Sequence, residues 1–233
     1  MGCYNGWERA NWFAHSSDDT SMVSAQTWER NGPWESRVRE ECEAVRDNVG
    51  VLDLPGFSRF ELKGNDSEAF IDRLIVGKLP KIGKISLSYF SDKKGRILTE
   101  MSIMKNSETH FTLITAAAAQ WHDYELLMNS IEPNSDISIE DTSSEISTLI
   151  VTGPKSRDLL TSITDADLTL PWLTHQKAML DSMPVILARV SFAGELGWEV
   201  HVKNKYLMSI YEKIIDLGAK PFGMFALNSL RIE

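Results

Sequence analysis

The apolar positions of this chain fall into short runs whose period changes from place to place. From Trp34 the residues Val38, Cys42, Val45 and Val49 recur at steps of about four, one face of a helix, and Gly50 supplies its stop. Phe57 to Leu62 then reads as a strand ended by Gly64. Asn65 with Glu68 forms a capping-box pattern ahead of the helical face Phe70, Leu74 and Ile75. The same order of strand, glycine and helix returns at Thr148 to Leu160, where Pro154 suits a first helical turn and Leu159 and Leu160 supply the apolar face. Gly64 and Gly153 are 89 positions apart.

Each copy continues with strands and a second helix. In the first, strands are expected at Ile85 to Phe90, Ile97 to Lys105 and His110 to Thr115, with a turn at Asp92-Lys-Lys-Gly and a helix over Ala118 to Ile131. In the second, Val185 to Phe192, a Gly194 to Gly197 turn and Trp198 to Val202 precede a helix capped by Asn204 and closed by Gly218. The expected fold is α+β, a degenerate duplication of one unit with antiparallel sheets, each similar to a split βαβ arrangement.

The first 34 residues hold Trp7, Trp12, Trp28 and Trp34 without a period that could bury them in an element of their own. They form either an arm lying on the core that follows or one belonging with a neighbouring domain. The division expected is a connector arm over 1–34, a discontinuous first subdomain over 35–58 and 144–233, and a second over 59–143. The chain stops at Leu230-Arg-Ile-Glu in mid-helix without a cap, the ending expected of a truncated domain.

Composition narrows the chemistry. With 233 residues, 42% of them hydrophobic, the chain can bury one large or two small cores. Its net charge is −9 and its 24 Lys and Arg are dispersed, which argues against a nucleic-acid partner. Cys3 and Cys42 have neither metal-site spacing nor disulfide-scaffold density and read as free thiols of a reducing compartment. No run approaches a membrane span, and no basic-then-apolar leader opens the chain. There is no GxGxxG after a strand, no P-loop, no Gly-x-Ser-x-Gly, and no metal-site spacing among the five histidines.

What remains is a set of carboxylates at the ends and turns of apolar strands. Alternation puts Ile97, Thr99 and Met101 on one face of a strand and Leu98, Glu100 and Ser102 on the other, leaving Glu100 among partly buried neighbours. The same pattern also fits a solvated charge on an exposed face. Glu195 and Glu199 flank the Gly194 to Gly197 turn, as surface hairpin residues also do.

Five ordered blocks carry a family resemblance. Gly6-Trp-Glu-Arg-Ala-Asn-Trp-Phe-Ala resembles the connector after the flavin domain of dimethylglycine and sarcosine dehydrogenases. Glu40-Glu-Cys-Glu-Ala-Val-Arg-Asp-Asn-Val-Gly resembles the opening of their folate domain, the module shared with the glycine-cleavage T-protein. Val151-Thr-Gly-Pro-Lys-Ser-Arg, Gly194-Glu-Leu-Gly-Trp-Glu and Asn228-Ser-Leu-Arg-Ile-Glu are similar to later blocks, in the same order. Lys94-Gly-Arg-Ile-Leu-Thr-Glu-Met-Ser is closer to the dimethylglycine branch than to the T-protein.

The resemblance implies a tetrahydrofolate-binding, one-carbon-accepting domain of an enzyme whose FAD belongs to an upstream domain absent from this chain, in the cytoplasm or, in a eukaryote, the mitochondrial matrix. It implies a folate site built from Tyr89, Glu100, Met101 and Ser102 together with Phe192, Glu195, Glu199, Val200 and His201. Glu100 takes the place of the family's reactive Asp, Ser102 that of a folate-contacting hydroxyl residue, and Glu199 that of the pterin-binding glutamate. Phe192 replaces a folate-contacting Tyr, and Leu227 replaces an Arg of the T-protein, which argues against an aminomethyl-lipoyl carrier as donor. Rival readings are a T-protein-like aminomethyltransferase, a folate-dependent demethylase, and a non-catalytic folate-binding or structural module.

Overall fold

The computed structural model describes residues 1–4, 6–18, 20 and 32–233. Trp28, one of the four arm tryptophans, lies outside the described residues. The chain folds as β1 (Gly2–Tyr4), β2 (Trp7–Arg9), α1 (Glu35–Asp47), β3 (Gly50–Asp53), β4 (Phe57–Lys63), α2 (Ser67–Leu74), β5 (Ile75–Val76), β6 (Ile85–Ser91), β7 (Ile97–Ser107), β8 (His110–Ala116) and α3 (Gln120–Asn129). It continues through β9 (Ser138–Asp141), β10 (Ile146–Thr152), α4 (Ser156–Thr161), β11 (His175–Leu180), β12 (Met183–Ala188), β13 (Gly197–Lys203), α5 (Asn204–Asp216), β14 (Lys220–Pro221) and α6 (Met224–Ile232).

Two compact units result: unit 1 holds Met1–Pro55, Ser147–Leu170 and Lys177–Glu233, and unit 2 holds Gly56–Ile146 and Pro171–Gln176. Each is built on a six-stranded sheet, ordered β11-β12-β13-β10-β3-β14 in one and β5-β6-β7-β8-β4-β9 in the other. Without its outermost short strand, each sheet has the same order: three consecutive strands, then the strand that opens the repeat, then one more. The fold is therefore α+β with antiparallel sheets and a duplicated topology; only β14 on β3 pairs in parallel among the ladders described.

The glycine after the first strand of each repeat shows why the pattern recurs. Gly64 and Gly153 have φ of +132° and +122°, and a Cβ on either would lie 1.9 Å from Asp136 O or 2.4 Å from Asn48 O. Only a residue without a side chain turns the backbone there into a helix. Three residues on, Ser67 and Ser156 are both fully buried; Ser67 Oγ donates to Gly64 O and Ser156 Oγ to Leu196 O. The sheet faces covered by helices form the cores, with Phe60, Leu62, Phe70, Ile71, Met101 and Leu113 in unit 2 and Val151, Leu160, Leu187, Trp198, Val200 and Ile214 in unit 1.

Several local expectations are corrected. Asn65 does not cap α2: its side-chain amide donates to Asp136 Oδ2 at 2.6 Å, while Glu68 pairs with Lys105, so the capping box is replaced by tertiary partners. Pro154 precedes the first turn of α4, and α3 ends at Asn129, short of Ile131. Asn204 opens α5 from inside the helix and accepts from Ser147 Oγ. The strand expected to reach Phe192 ends at Ala188, where Val190 N turns back to donate to Ala188 O at 3.0 Å and the Arg189 side chain donates to Gly197 O.

In unit 1 the described part of the N-terminal arm packs on α1 and α6. Trp12 is buried, Met224 and Phe225 N–H groups donate to Ala10 and Asn11 carbonyls, and Glu41 accepts from Phe13 N at 2.7 Å and Gly223 N at 2.9 Å. Both cysteines are free, Cys3 exposed and Cys42 buried. Among the described residues no helix is long and apolar enough to cross a membrane.

Candidate functional site

In unit 2, alternation along β7 sends Met101 and Ile103 into the core and leaves Glu100 and Ser102 on the face away from the helices. Register then decides their neighbours. Tyr89 stands directly opposite Glu100, Leu87 opposite Ser102 on β6, and Ile114 opposite Ser102 on β8. Leu87 and Tyr89 are 60% and 45% exposed, so Glu100 projects from an open apolar face and not from the partly buried setting expected. Met101 is fully buried, and its side chain shapes this face only from behind.

Beneath that face lies a network that sequence reading missed. Asp123 of α3 is fully buried; its Oδ2 accepts from Thr115 Oγ1 at 2.6 Å and Thr99 Oγ1 at 3.0 Å, and its Oδ1 lies 2.9 Å from His122 Nδ1. Threonine hydroxyls from the core faces of β7 and β8 meet one carboxylate of α3, a convergence with no signature in local spacing.

In unit 1, Glu199 and His201 share the face of β13 opposite to the core, across from Ala188 and Ile186 of β12, while Val200 is a core residue. His201 Nε2 lies 3.3 Å from Glu199 Oε2, and His201 Nδ1 lies 3.0 Å from Thr148 Oγ1. The approach of Nε2 to Glu199 is within ion-pair range but is not a hydrogen bond, and the Thr148 hydroxyl donates or accepts at Nδ1 according to the ring tautomer. The Glu199 side chain is 14% exposed, and His201 is its only polar partner among the described residues.

The loop joining β12 and β13 carries Phe192, which is exposed, and Glu195, which is half-buried. Its end is pinned at Leu196 O, which accepts from Gly153 N at 2.8 Å, Ser156 Oγ at 3.1 Å and Thr152 Oγ1 at 3.2 Å. The Arg189 guanidinium stacks on Trp198, 5.4 Å from the ring centroid, and burial, with Arg157 nearby, pulls its pKa below the usual arginine value. Thus the structure groups Tyr89, Glu100 and Ser102 on one sheet face, and Glu199 and His201 on another.

Two clefts lie elsewhere. One of about 560 Å³ in unit 1 is lined by Asn48, Lys155, Asp158, Leu159, Leu217 and Lys220. Another of about 230 Å³ in unit 2 is lined by Asp66, Phe70, Arg73, Glu132 and Asn134. Lys155 and Asp66, like Leu159 and Phe70, are 89 positions apart, so the clefts are one feature of the repeat seen twice. Neither includes one of the candidate folate-site residues.

Comparison with known proteins matches this architecture. Dimethylglycine dehydrogenase, mitochondrial, of Rattus norvegicus is 32% identical over 241 residues, covering 100% of this chain and 28% of its own length. An aminomethyltransferase of Bacillus mycoides (strain KBAB4) is 29% identical over 215 residues, 87% of this chain and 58% of its own length. The chain thus spans well under two thirds of these relatives. Among solved structures, glycine cleavage system aminomethyltransferase T from Bartonella henselae superposes with a TM-score of 0.80 over 99% of this chain and 57% of that one, at 18% identity. The heterotetrameric sarcosine oxidase of Corynebacterium sp. U-96 gives 0.59 over 87% of this chain and 96% of that one, at 16% identity. The GCVT N-terminal domain profile matches residues 1–233, and the chain belongs to that family.

Proposed function

We propose that this chain binds tetrahydrofolate and captures, as methylene-tetrahydrofolate, the one-carbon unit released when an N-methyl amine of the dimethylglycine or sarcosine type is oxidised. The observation that carries the reading is Glu199, a carboxylate 14% exposed whose charged neighbour among the described residues is His201, at 3.3 Å. Its acceptor oxygens are open to a ligand, and the paired N–H groups of a pterin edge suit them.

The remaining roles follow from position. In unit 1 Phe192 offers an exposed ring for packing against a flat heterocycle; in unit 2 Tyr89, with Leu87 beside it, forms an exposed apolar surface of its own. Bound tetrahydrofolate supplies the two nitrogens between which a one-carbon unit is held. Glu100 would stabilise positive charge on the incoming carbon and hold the proton given up by the attacking N–H group, which the departing demethylated amine can then take. Ser102 and Glu195 border the two faces as polar contacts, whereas Met101 and Val200 act as core supports. His201 acts through Glu199, since its own side chain is only 1% exposed.

Amine oxidation belongs to a flavin-dependent domain or partner, a reading supported by the relatedness to dimethylglycine dehydrogenase and by the small share of that enzyme this chain spans. The mitochondrial rat relative supports a soluble compartment, the matrix in a eukaryote. A T-protein-like aminomethyltransferase is the second reading, favoured by the Bacillus relative; the buried Leu227 where the T-protein has an Arg speaks against it.

Calorimetric titration of tetrahydrofolate into the chain tests the proposal. Saturable binding is expected. Glu199→Gln should weaken it about 10–100-fold, from charge-assisted hydrogen bonds of about 1.5–3 kcal/mol. A flat titration of the parent chain, or equal affinity in the variant, overturns the assignment.

A further inference from the structure

We propose that Asp123 is a positioning residue for Glu100, supplementing on the β8 side, where the ladder has ended, the backbone pairing that continues with β6; its functional consequence rests on the folate reading above. The β7–β8 ladder begins at Ser102 opposite Ile114 and runs away from Glu100, so on its β8 side Glu100 lies beyond the paired residues. On the other side the β6–β7 register is regular from Ile85 to Phe90 but shifts at Ser91, immediately beyond the Phe90–Thr99 pair. Glu100 and Thr99 therefore occupy a short stretch between the end of one ladder and the irregularity of the other. A strand held this way is fixed in part by its side chains.

Asp123 fills that gap from below. It receives Thr99 Oγ1, from the residue next to Glu100, and Thr115 Oγ1, from the strand that has stopped pairing with β7. The Thr115 hydroxyl also lies 3.5 Å from Glu100 O, the place where a ladder bond would otherwise be made. A fully buried carboxylate is kept in a fold only when donors surround it, and here the donors are the two hydroxyls that bracket Glu100, together with the His122 ring. The network fixes the backbone from which the Glu100 carboxylate projects, and so sets where it meets a ligand.

Two measurements test this in the chain itself. Residue-resolved amide hydrogen exchange of Asp123→Ala should show exchange at residues 98–102 faster by about tenfold or more, with Phe60–Leu62 and unit 1 unchanged. Should that variant fail to fold, Thr99→Val and Thr115→Val remove the donors at constant shape and should give the same local signature. Unchanged exchange at 98–102, or a uniform rise across unit 2, overturns the positioning role. The second measurement is a double-mutant cycle on tetrahydrofolate affinity. Asp123→Asn should weaken binding at least about threefold when Glu100 is present and have no effect in a Glu100→Gln background; effects that simply multiply overturn the coupling. Absence of binding by the parent removes the folate reading and leaves exchange to decide whether Asp123 holds this strand.

Discussion

Glu199 and His201 stand two residues apart on one face of β13, with His201 Nε2 3.3 Å from Glu199 Oε2 and the far side of the ring against Thr148. The carboxylate assigned to the pterin edge is thus aimed by a buried imidazole that is itself fixed by a hydroxyl on the neighbouring strand.

His201→Phe keeps the ring volume and deletes both nitrogens, leaving Glu199 without its partner. Tetrahydrofolate affinity should fall about 2–5-fold, the range of one ion-pair contact worth about 0.5–1 kcal/mol, while the unfolding transition stays cooperative. Calorimetry alongside urea unfolding checks this. Parent affinity in the variant would mean that Glu199 needs no support.

Glu100→Gln preserves shape and removes the basic site. In a preparation that couples this domain to a flavin-dependent amine oxidase, flavin reduction should proceed at the parent rate while the one-carbon unit escapes as formaldehyde. Positioned acid–base groups contribute about 10²–10⁴-fold, so methylene-tetrahydrofolate yield should drop steeply. Parallel assays of flavin reduction, formaldehyde and methylene-tetrahydrofolate decide it; an unchanged product ratio removes Glu100 from the chemistry.

Gly153→Ala forces a side chain into a positive-φ turn where Asn48 O is 2.4 Å from the new Cβ. Strained backbone of this kind costs about 1–3 kcal/mol, and the clash with main chain adds to it. Equilibrium unfolding should show that loss or a larger one. A Gly56→Ala control, at φ +103° with open space around the Cβ, should cost less.

Burial raises the Glu41 carboxyl above its ordinary value, against the opposing pull of the Gly223 and Phe13 N–H groups. The folded chain then holds this proton at pH values where the unfolded chain has released it. Its contribution to stability is full below the ordinary carboxyl pKa of about 4.3 and is lost as pH rises through the raised value. Unfolding free energies from about pH 4 upward should therefore fall more steeply for the parent than for Glu41→Gln. Parallel curves for the two proteins would show that Glu41 titrates alike in both states.

Much of the fold was legible because it rests on short-range rules. The stepped apolar face of α1, the period-two strands and the glycines at 64 and 153 each report local geometry, and their recurrence exposed the duplication. The alternation around Glu100 likewise predicted which side of β7 it occupies, since a strand has only two faces. One residue was misjudged because a partner distant in sequence outcompeted the local motif, Asp136 drawing Asn65 away from its cap, and β12 ended four residues before Phe192 at a local turn from Val190 N to Ala188 O.

What only tertiary structure decided is how the carboxylates are held. Sequence marks Glu100, Glu199 and their immediate neighbours, but nothing in it says that Asp123 is buried beneath the first or that His201 and Thr148 brace the second. Strand order and register bring those residues together across separations of 24 and 53 positions. A hydrogen bond between remote residues leaves no periodic trace in a chain, because it depends on where two strands or a strand and a helix come to rest, and not on the spacing of residues within either.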